Sequence, residues 1–211
     1  MIINIRGTSG SGKSTLMRNI TGLYKSKTTF KEKERKRPIG YVFHHPSGGK
    51  DLAVVGHYET PCGGCDTIMS IDHIYELVRQ SHAAGFNVLF EGLLLSAEIK
   101  RTLALHQDGL PLLVVGLNTS IEECLYSVNS RRRLSFEKRL ERVNKINLGL
   151  AEKEKKLRPV PEYRGDVRPK NTESKHKATI ATMKRLSNEG LNVEWHDRES
   201  SFIRIREVLE I

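Results

Sequence analysis

Gly7-Thr8-Ser9-Gly10-Ser11-Gly12-Lys13-Ser14 decides how the rest of the chain is read. It matches the pattern G-x-x-x-x-G-K-[ST], directly after a strand-like run, Ile2 to Arg6, and at the opening of a helix-like one, Ser14 to Ile20. The glycines permit a tight turn whose backbone N–H groups point at phosphate oxygens. The helix that starts there presents its unpaired N–H groups to the same anion. Lys13 is expected to reach the β- and γ-phosphates of a nucleotide, and the Ser14 hydroxyl to ligate Mg²⁺. A flexible serine–glycine turn does not account for a lysine and a serine at this point of a helix start. The motif speaks for phosphate binding and not for a reaction type, because motors, switches and transfer enzymes all use it. Small size, no obvious second ATPase motif and large basic insertions favour a transferase.

Outward from the loop, strands and helices alternate. Leu16, Met17 and Ile20 give the first helix a core face, and Gly22 is a plausible stop. Residues 25 to 37 are too charged to bury and are expected to form a mobile excursion or an exposed helix. Ile39 to Phe43 and Leu52 to Val55 are strand candidates separated by the turn Pro46-Ser47-Gly48-Gly49. A glycine-containing loop, 56 to 66, precedes a helix over Ile68 to Ala84. Asn87 to Phe90 is a strand ending at Glu91-Gly92, and Ser96 is expected to cap a helix reaching about His106. Leu112 to Leu117, the most apolar run, is expected to be a central parallel strand covered on both faces. Thr119 or Ser120 opens a helix with Glu122 and Glu123 in its first turn. Residues 131 to 170 read as a basic, lid-like excursion with some helix. A helix from Glu173 to Leu186, a strand from Leu191 to Trp195 and a helix from Phe202 to Leu209 complete the chain. The expectation is α/β: a three-layer fold with a mostly parallel central sheet, one domain over residues 1–211 with insertions at about 25–37 and 131–170.

The composition, 37% apolar and 28% charged over 211 residues, is that of a globular protein. No apolar run approaches the roughly 20 residues that span a bilayer, and Met1 to Arg6 turns polar too quickly for a secretory signal. Three cysteines, Cys62, Cys65 and Cys124, are too few for a disulfide framework and suit a reducing compartment, hence the cytoplasm. Nothing implies a membrane or an obligate protein partner. The formal net charge of +10 is high if the only polyanion bound is a nucleotide. It gathers in three runs: Lys25, Lys27, Lys31, Lys33, Arg35, Lys36 and Arg37; Arg131 to Arg133 with Lys138, Arg139, Arg142 and Lys145; and Lys153 to Lys170. One such run reads equally as a solvated face. Three in a small protein point to an anionic polymer.

Two acids are candidates for chemistry. Glu91 lies at the carboxyl end of a strand, where α/β ligands bind, and could hold the Mg²⁺ shell through water or orient an attacking group. Otherwise it is a surface acid beginning a loop. Asp66 ends the stretch Gly56-His57-Tyr58-Glu59-Thr60-Pro61-Cys62-Gly63-Gly64-Cys65-Asp66. It could accept the proton of an attacking alcohol, cap the following helix, or do both. Glu59 is a weaker candidate for the same role. Cys62 and Cys65 form one C-x-x-C pair that would need His57, His44 or His45 to complete a zinc site, and a glycine-tuned substrate loop is the preferred reading. Arg131, Arg132, Arg133 and Arg139 can clamp transferring phosphates, although three adjacent arginines on a helix cannot all face one site. Trp195 is assigned to the core, whereas Tyr58 and Phe43 are better placed to stack on a base.

The loop Gly7–Ser14, the Glu91-Gly92 strand end and Thr119-Ser120-Ile121-Glu122-Glu123 running to Arg131–Arg133 resemble, in order along most of the chain, nucleoside and nucleotide kinases of the P-loop class. Within that class, Gly56-His57-Tyr58-Glu59 and Gly63-Gly64-Cys65-Asp66-Thr67 resemble bacteriophage kinases that phosphorylate 5-hydroxymethyluracil in DNA, a step in making hypermodified thymidines. The resemblance implies a P-loop NTPase fold and ATP or a similar triphosphate as donor. It also implies Mg²⁺, and DNA containing 5-hydroxymethyluracil as substrate, in a host cytoplasm. It puts nucleotide phosphates on Gly12, Lys13, Ser14 and Thr15 and Asp66 near the hydroxymethyl group; Gly7, Ser9, Gly10 and Ser11 complete the expected nucleotide-binding loop. Lys13, Asp66, Glu91 and Arg131 make the expected catalytic set, with Ser14, and Glu91 through water, on the metal. Asp66 and Glu91 both remain open as the base. The alternatives are a kinase of free nucleosides or nucleoside monophosphates, and a nucleic-acid-binding NTPase without transfer; the segment 25–37 lacks a clear monophosphate pocket pattern.

Overall fold

The computed structural model describes residues 1–32, 35–60, 63–153 and 155–211, so Lys33 of the first basic run and Cys62 of the C-x-x-C pair lie outside the described residues. Among the described residues seven strands form one sheet: β1 (Ile2–Arg6), β2 (Lys27–Phe30), β3 (Gly40–Phe43), β4 (Leu52–Val55), β5 (Asn87–Glu91), β6 (Leu112–Leu117) and β7 (Asn192–His196). Their spatial order is β2-β3-β4-β5-β1-β6-β7. Strands β4, β5, β1, β6 and β7 run parallel, while β2 and β3 extend the sheet antiparallel beyond β4. The six helices among the described residues are α1 (Lys13–Thr21), α2 (Ile71–Ala83), α3 (Lys100–Gln107), α4 (Ile121–Ala151), α5 (Pro169–Asn188) and α6 (Arg198–Leu209).

Burial on both faces explains the unbroken apolar runs of the inner strands. Residues of α1 and α6 pack with Ile3, Ile5, Leu113 and Val115 on one face. Residues of α2, α3 and α5 pack with Ile2, Val88, Phe90 and Val114 on the other. The alternation places Asn4 and Arg6 of β1 in the interior as well. The Arg6 guanidinium is fully buried and satisfied by Asn4 Oδ1 at 2.6 Å, the Glu98 carbonyl at 2.7 Å and Thr102 Oγ1 at 2.6 Å. Such a group is tolerated in a core only when its donors are met.

Several expectations need correction. Lys27–Phe30, within the charged segment 25–37, is an edge strand paired with β3, where Lys27, Thr28 and Thr29 all stay exposed and only Phe30 turns inward. Strand β6 is interior but next to last, because β7 adds one further parallel strand outside it. Trp195 sits on that outer strand and is 40% exposed, so it is not a core residue. Ser96 caps no helix: it lies in a separate 3-10 turn, Leu94–Ala97, and α3 begins at Lys100. Ser120 caps α4 in a reciprocal capping box with Glu123. Helix α4 then runs without a break through the arginine cluster to Ala151, and α5 starts at Pro169, four residues before the expected Glu173. No helix among the described residues is long and apolar enough to cross a membrane.

Candidate active site

Strand β1 ends at the glycine loop, and its parallel neighbours β5 and β6 end beside it. A cavity of about 1030 Å³ opens there, lined by the loop, by Asp66 and Glu91, and by residues of α4, α5 and the start of α6. Of the loop residues named from sequence, Ser9, Gly10, Gly12, Lys13, Ser14 and Thr15 line it. Gly7 and Ser11 support it from behind. The Gly7 N–H donates to Ser96 Oγ at 3.1 Å, and the same hydroxyl donates to the carbonyls of Gly7 and Gly92, each at 3.0 Å. Thr119 Oγ1 donates to the Ser11 carbonyl at 3.0 Å, and the buried Ser11 hydroxyl has no partner among the described residues. Gly12 caps α1 with φ 99°, a left-handed conformation that favours glycine. The Lys13 ammonium folds back over the loop, donating to the Gly7 carbonyl at 2.6 Å and the Thr8 carbonyl at 3.2 Å. Burial lowers its pKa, and the carboxylates of Glu91 and Asp66 act against that shift.

Glu91 is 2% exposed, which excludes the surface-acid alternative. Its carboxylate accepts a hydrogen bond from the Ser14 hydroxyl at 2.8 Å. Burial pushes its pKa up, while Lys13 and the Ser14 hydrogen bond pull it down. Gly64 backs this carboxylate so closely that a Cβ there would lie 2.6 Å from Glu91 Oε1, at a φ of +81°. Asp66 stands in a 3-10 turn, Cys65–Thr67, and does not cap the helix that follows; Ser70 does. The Asp66 carboxylate instead accepts from the backbone N–H groups of Leu93 at 2.8 Å and Leu94 at 3.3 Å, just past the end of β5. Ahead of Asp66, His57 and Gly64 pair with each other in an isolated antiparallel bridge. The Cys65 thiol is buried there and donates to the Val55 carbonyl at 3.3 Å; burial pushes its pKa well up.

Arg131 and Arg132 line the cavity from α4, whereas Arg133 is turned away and paired with Asp166. The helical geometry that forbids three adjacent arginines from facing one site thus selects two. Arg139 does not line the cavity. Glu59 is also elsewhere, 3.9 Å from the Lys27 ammonium in a smaller cavity of about 370 Å³. Tyr24, Tyr41, Phe43 and Tyr58 give that cavity aromatic walls, and Arg18 lines both cavities. Sequence reasoning missed Arg18, Ser96, Thr172, Lys175 and Arg198. Only Arg18, one turn beyond Ser14 on α1, had a local signal. The others are brought in by α5, α6 and the turn after β5, whose approach to the loop is set by tertiary packing.

The donor set fits a nucleotide with Mg²⁺. A hydroxyl and a carboxylate supply the hard oxygens that Mg²⁺ prefers, and Mg²⁺ ordinarily takes one or two carboxylates plus substrate phosphates. Among the described residues no three His, Cys, Asp or Glu side chains converge as a metal-binding group.

No family model matches the chain. It is 47% identical over 209 residues to the 5-hmdU DNA kinase of Pseudomonas phage PaMx11, a match that covers 99% of this chain and 97% of that protein. A likeness of that strength over both full lengths shows that the chain belongs to the family of phage 5-hmdU DNA kinases.

Proposed function

We infer that the protein transfers the γ-phosphate of ATP to the hydroxymethyl oxygen of 5-hydroxymethyluracil in DNA, a step in phage DNA base hypermodification. The near-full-length likeness to the phage DNA kinase carries this reading. We assign the whole chain, 1–211, to one P-loop kinase domain of the three-layer type, with the segment 131–170 as its insertion, acting in the host cytoplasm.

In this reading the loop N–H groups and the buried Lys13 bind the β- and γ-phosphates of ATP. Ser14 and Glu91 hold Mg²⁺, the carboxylate through water. When bound, Mg²⁺ neutralises charge on the transferring phosphoryl group. Asp66, fixed by two backbone N–H groups and open to the cavity, is the base. It receives the proton of the hydroxymethyl group as that oxygen bonds to the γ-phosphorus and the bond to the departing ADP oxygen breaks. Glu91 is the poorer base, because its carboxylate is already engaged by Ser14 and backed by Gly64. Arg131 offsets the charge that develops on the phosphoryl oxygens. A base in duplex DNA must be extruded to reach the cavity, at a cost of a few kcal/mol. The aromatic cavity beside Arg18 offers Tyr58 and Phe43 for it to stack on.

Transfer of γ-³²P from ATP to matched duplexes containing thymine or 5-hydroxymethyluracil, with the free nucleosides and monophosphates alongside, tests the function. Label on the hydroxymethylated duplex alone is expected. Label only on a small acceptor would make the protein a nucleotide kinase, and hydrolysis without labelled product would make it an NTPase.

A further inference from the structure

The positive charge of this protein is almost wholly local. Residues 131–170 carry 14 Lys and Arg against 6 Asp and Glu, leaving the rest of the chain near neutrality within a total of +10. Most of this segment is built as an arm. At 1.5 Å per residue, the 31-residue helix α4 is about 46 Å long, and Cys124 near its start is its one fully buried side chain among the described residues.

The chain after α4 returns along it in antiparallel register. The Asn147 side chain exchanges two hydrogen bonds with the Arg158 backbone, at 2.9 and 2.7 Å. Phe136 packs on Tyr163 with ring centroids 5.3 Å apart. Arg133 pairs with Asp166, and Asn129 Oδ1 accepts from the Val167 N–H at 2.8 Å. With about 100° of rotation per residue, Asn129, Arg133, Phe136 and Asn147 share one face of α4, within roughly 60°. The returning segment braces that face.

The opposite face carries a basic stripe. Arg131, Lys138, Arg142 and Lys145 also fall within roughly 60° of one another, on the side of α4 away from the brace. Lys138, Arg142 and Lys145 are exposed and form no ion pair with any described residue. Ser127, Arg131 and Ser135 of the same face line the phosphate cavity. The basic stripe is therefore the outward continuation of the cavity wall.

We propose that this stripe, Lys138, Arg142 and Lys145, is the docking face for the phosphate backbone of the DNA that flanks the target base. It leads that backbone along α4 to the cavity, and the braced opposite face keeps the arm straight. The proposal rests on DNA being the substrate. Phosphate contacts of this kind position a protein without reading sequence.

Two triple variants separate placement from total charge: K138Q/R142Q/K145Q on the stripe, and K50Q/K100Q/K184Q on exposed lysines elsewhere. Each lowers the net charge by three, and none of the six residues lines the phosphate cavity. Fluorescence anisotropy on a 5-hydroxymethyluracil duplex across a salt series reads the slope of log affinity against log salt. Each lost phosphate contact lowers that slope by about 0.9. The stripe variant is expected to lose about 2.7 in slope and at least about tenfold in affinity at 0.15 M salt, with ATP affinity unchanged, while the other variant changes little. Equal slopes and affinities for the two variants, with a wild-type protein that phosphorylates the duplex, would overturn the docking face alone. A wild-type protein that phosphorylates only free nucleosides in the same samples would overturn the DNA reading, and this one with it.

Discussion

The Ser14 hydroxyl donates a 2.8 Å hydrogen bond to the carboxylate of Glu91, 77 positions away in the chain. Parallel pairing of β1 with β5 brings the ends of the two strands together, so helix α1 starts beside the acid. One bond thus joins the phosphate-binding loop to the neighbouring strand, at the place we propose for a nucleotide's metal. Two acids at this site, Glu91 and Asp66, differ in surroundings: the first is enclosed, the second opens to the cavity.

Glu91→Gln keeps an acceptor for Ser14 and removes the charge. If Glu91 acts on the metal through water, Mg²⁺ affinity is expected to fall about 10- to 100-fold, the usual loss for an outer-shell partner. The rate of transfer against Mg²⁺ concentration should shift to higher metal and regain most of its plateau. A curve with an unchanged midpoint would remove Glu91 from the metal.

Asp66→Asn preserves a side-chain oxygen for the Leu93 and Leu94 N–H groups but cannot take a proton. Transfer to the hydroxymethyl group is expected to fall about 10²- to 10⁴-fold, the range for losing a positioned base. ATP affinity should stay near that of the wild-type protein. Near-normal transfer would move the base role to Glu91.

Tyr58→Leu removes one aromatic wall of the smaller cavity. Base–aromatic stacking is worth about 1–3 kcal/mol, so KM for the modified DNA is expected to rise about 5- to 150-fold. KM for ATP should stay unchanged. Parallel rises in both constants would indicate a disturbed core and not a lost stacking partner.

What could be read from sequence follows from how local each signal is. The phosphate loop, its strand and its helix are contiguous, and all three are where the motif places them. Glu91 was legible because a strand end in a parallel sheet is a ligand position, but its enclosure depends on Gly64 from another loop. Lys27–Phe30 misled because charge content argues against burial, and an edge strand needs little of it. Trp195 misled for the opposite reason: apolar character suggested a core that the last strand of a sheet does not have on its open side. Lys175 and Arg198 reach the cavity only because α5 and α6, which flank β7 in the chain, pack on opposite faces of the sheet and come up beside the loop, which no local pattern records.

Ser96 is the least conspicuous support of the loop. Its hydroxyl accepts from the Gly7 N–H and donates to the Gly7 and Gly92 carbonyls, all in the interior. Ser96→Ala leaves the Gly7 N–H without its partner, while the Gly7 carbonyl keeps Lys13 and the Gly92 carbonyl keeps the N–H of residue 96. A buried unsatisfied polar group costs about 1–3 kcal/mol. Urea denaturation should show a loss of that order, with weaker ATP binding because the loop entrance is no longer held. A stability loss with unaltered ATP binding would confine Ser96 to the fold.

At the far edge of the sheet, Glu194 lies between Arg204 and His196. Arg204 donates to both carboxylate oxygens, at 2.9 and 3.0 Å, and His196 stands 2.9 Å away. The Arg204 hydrogen bonds dominate in holding the Glu194 pKa down to about 2, from 4.5. Since the folded value lies below the unfolded one, the pair's stabilisation is fully present above about pH 4.5 and is lost as pH falls toward 2. The pair is partly open to solvent, which screens it, so its worth at neutral pH is on the order of 1 kcal/mol. Glu194→Gln should lower stability by that amount at pH 7, and the gap to the wild-type protein should narrow only below about pH 4.5. Urea midpoints of both proteins between pH 7 and 3 check this. A gap that stays constant through the acid range would mean that Glu194 contributes through packing and not through its charge.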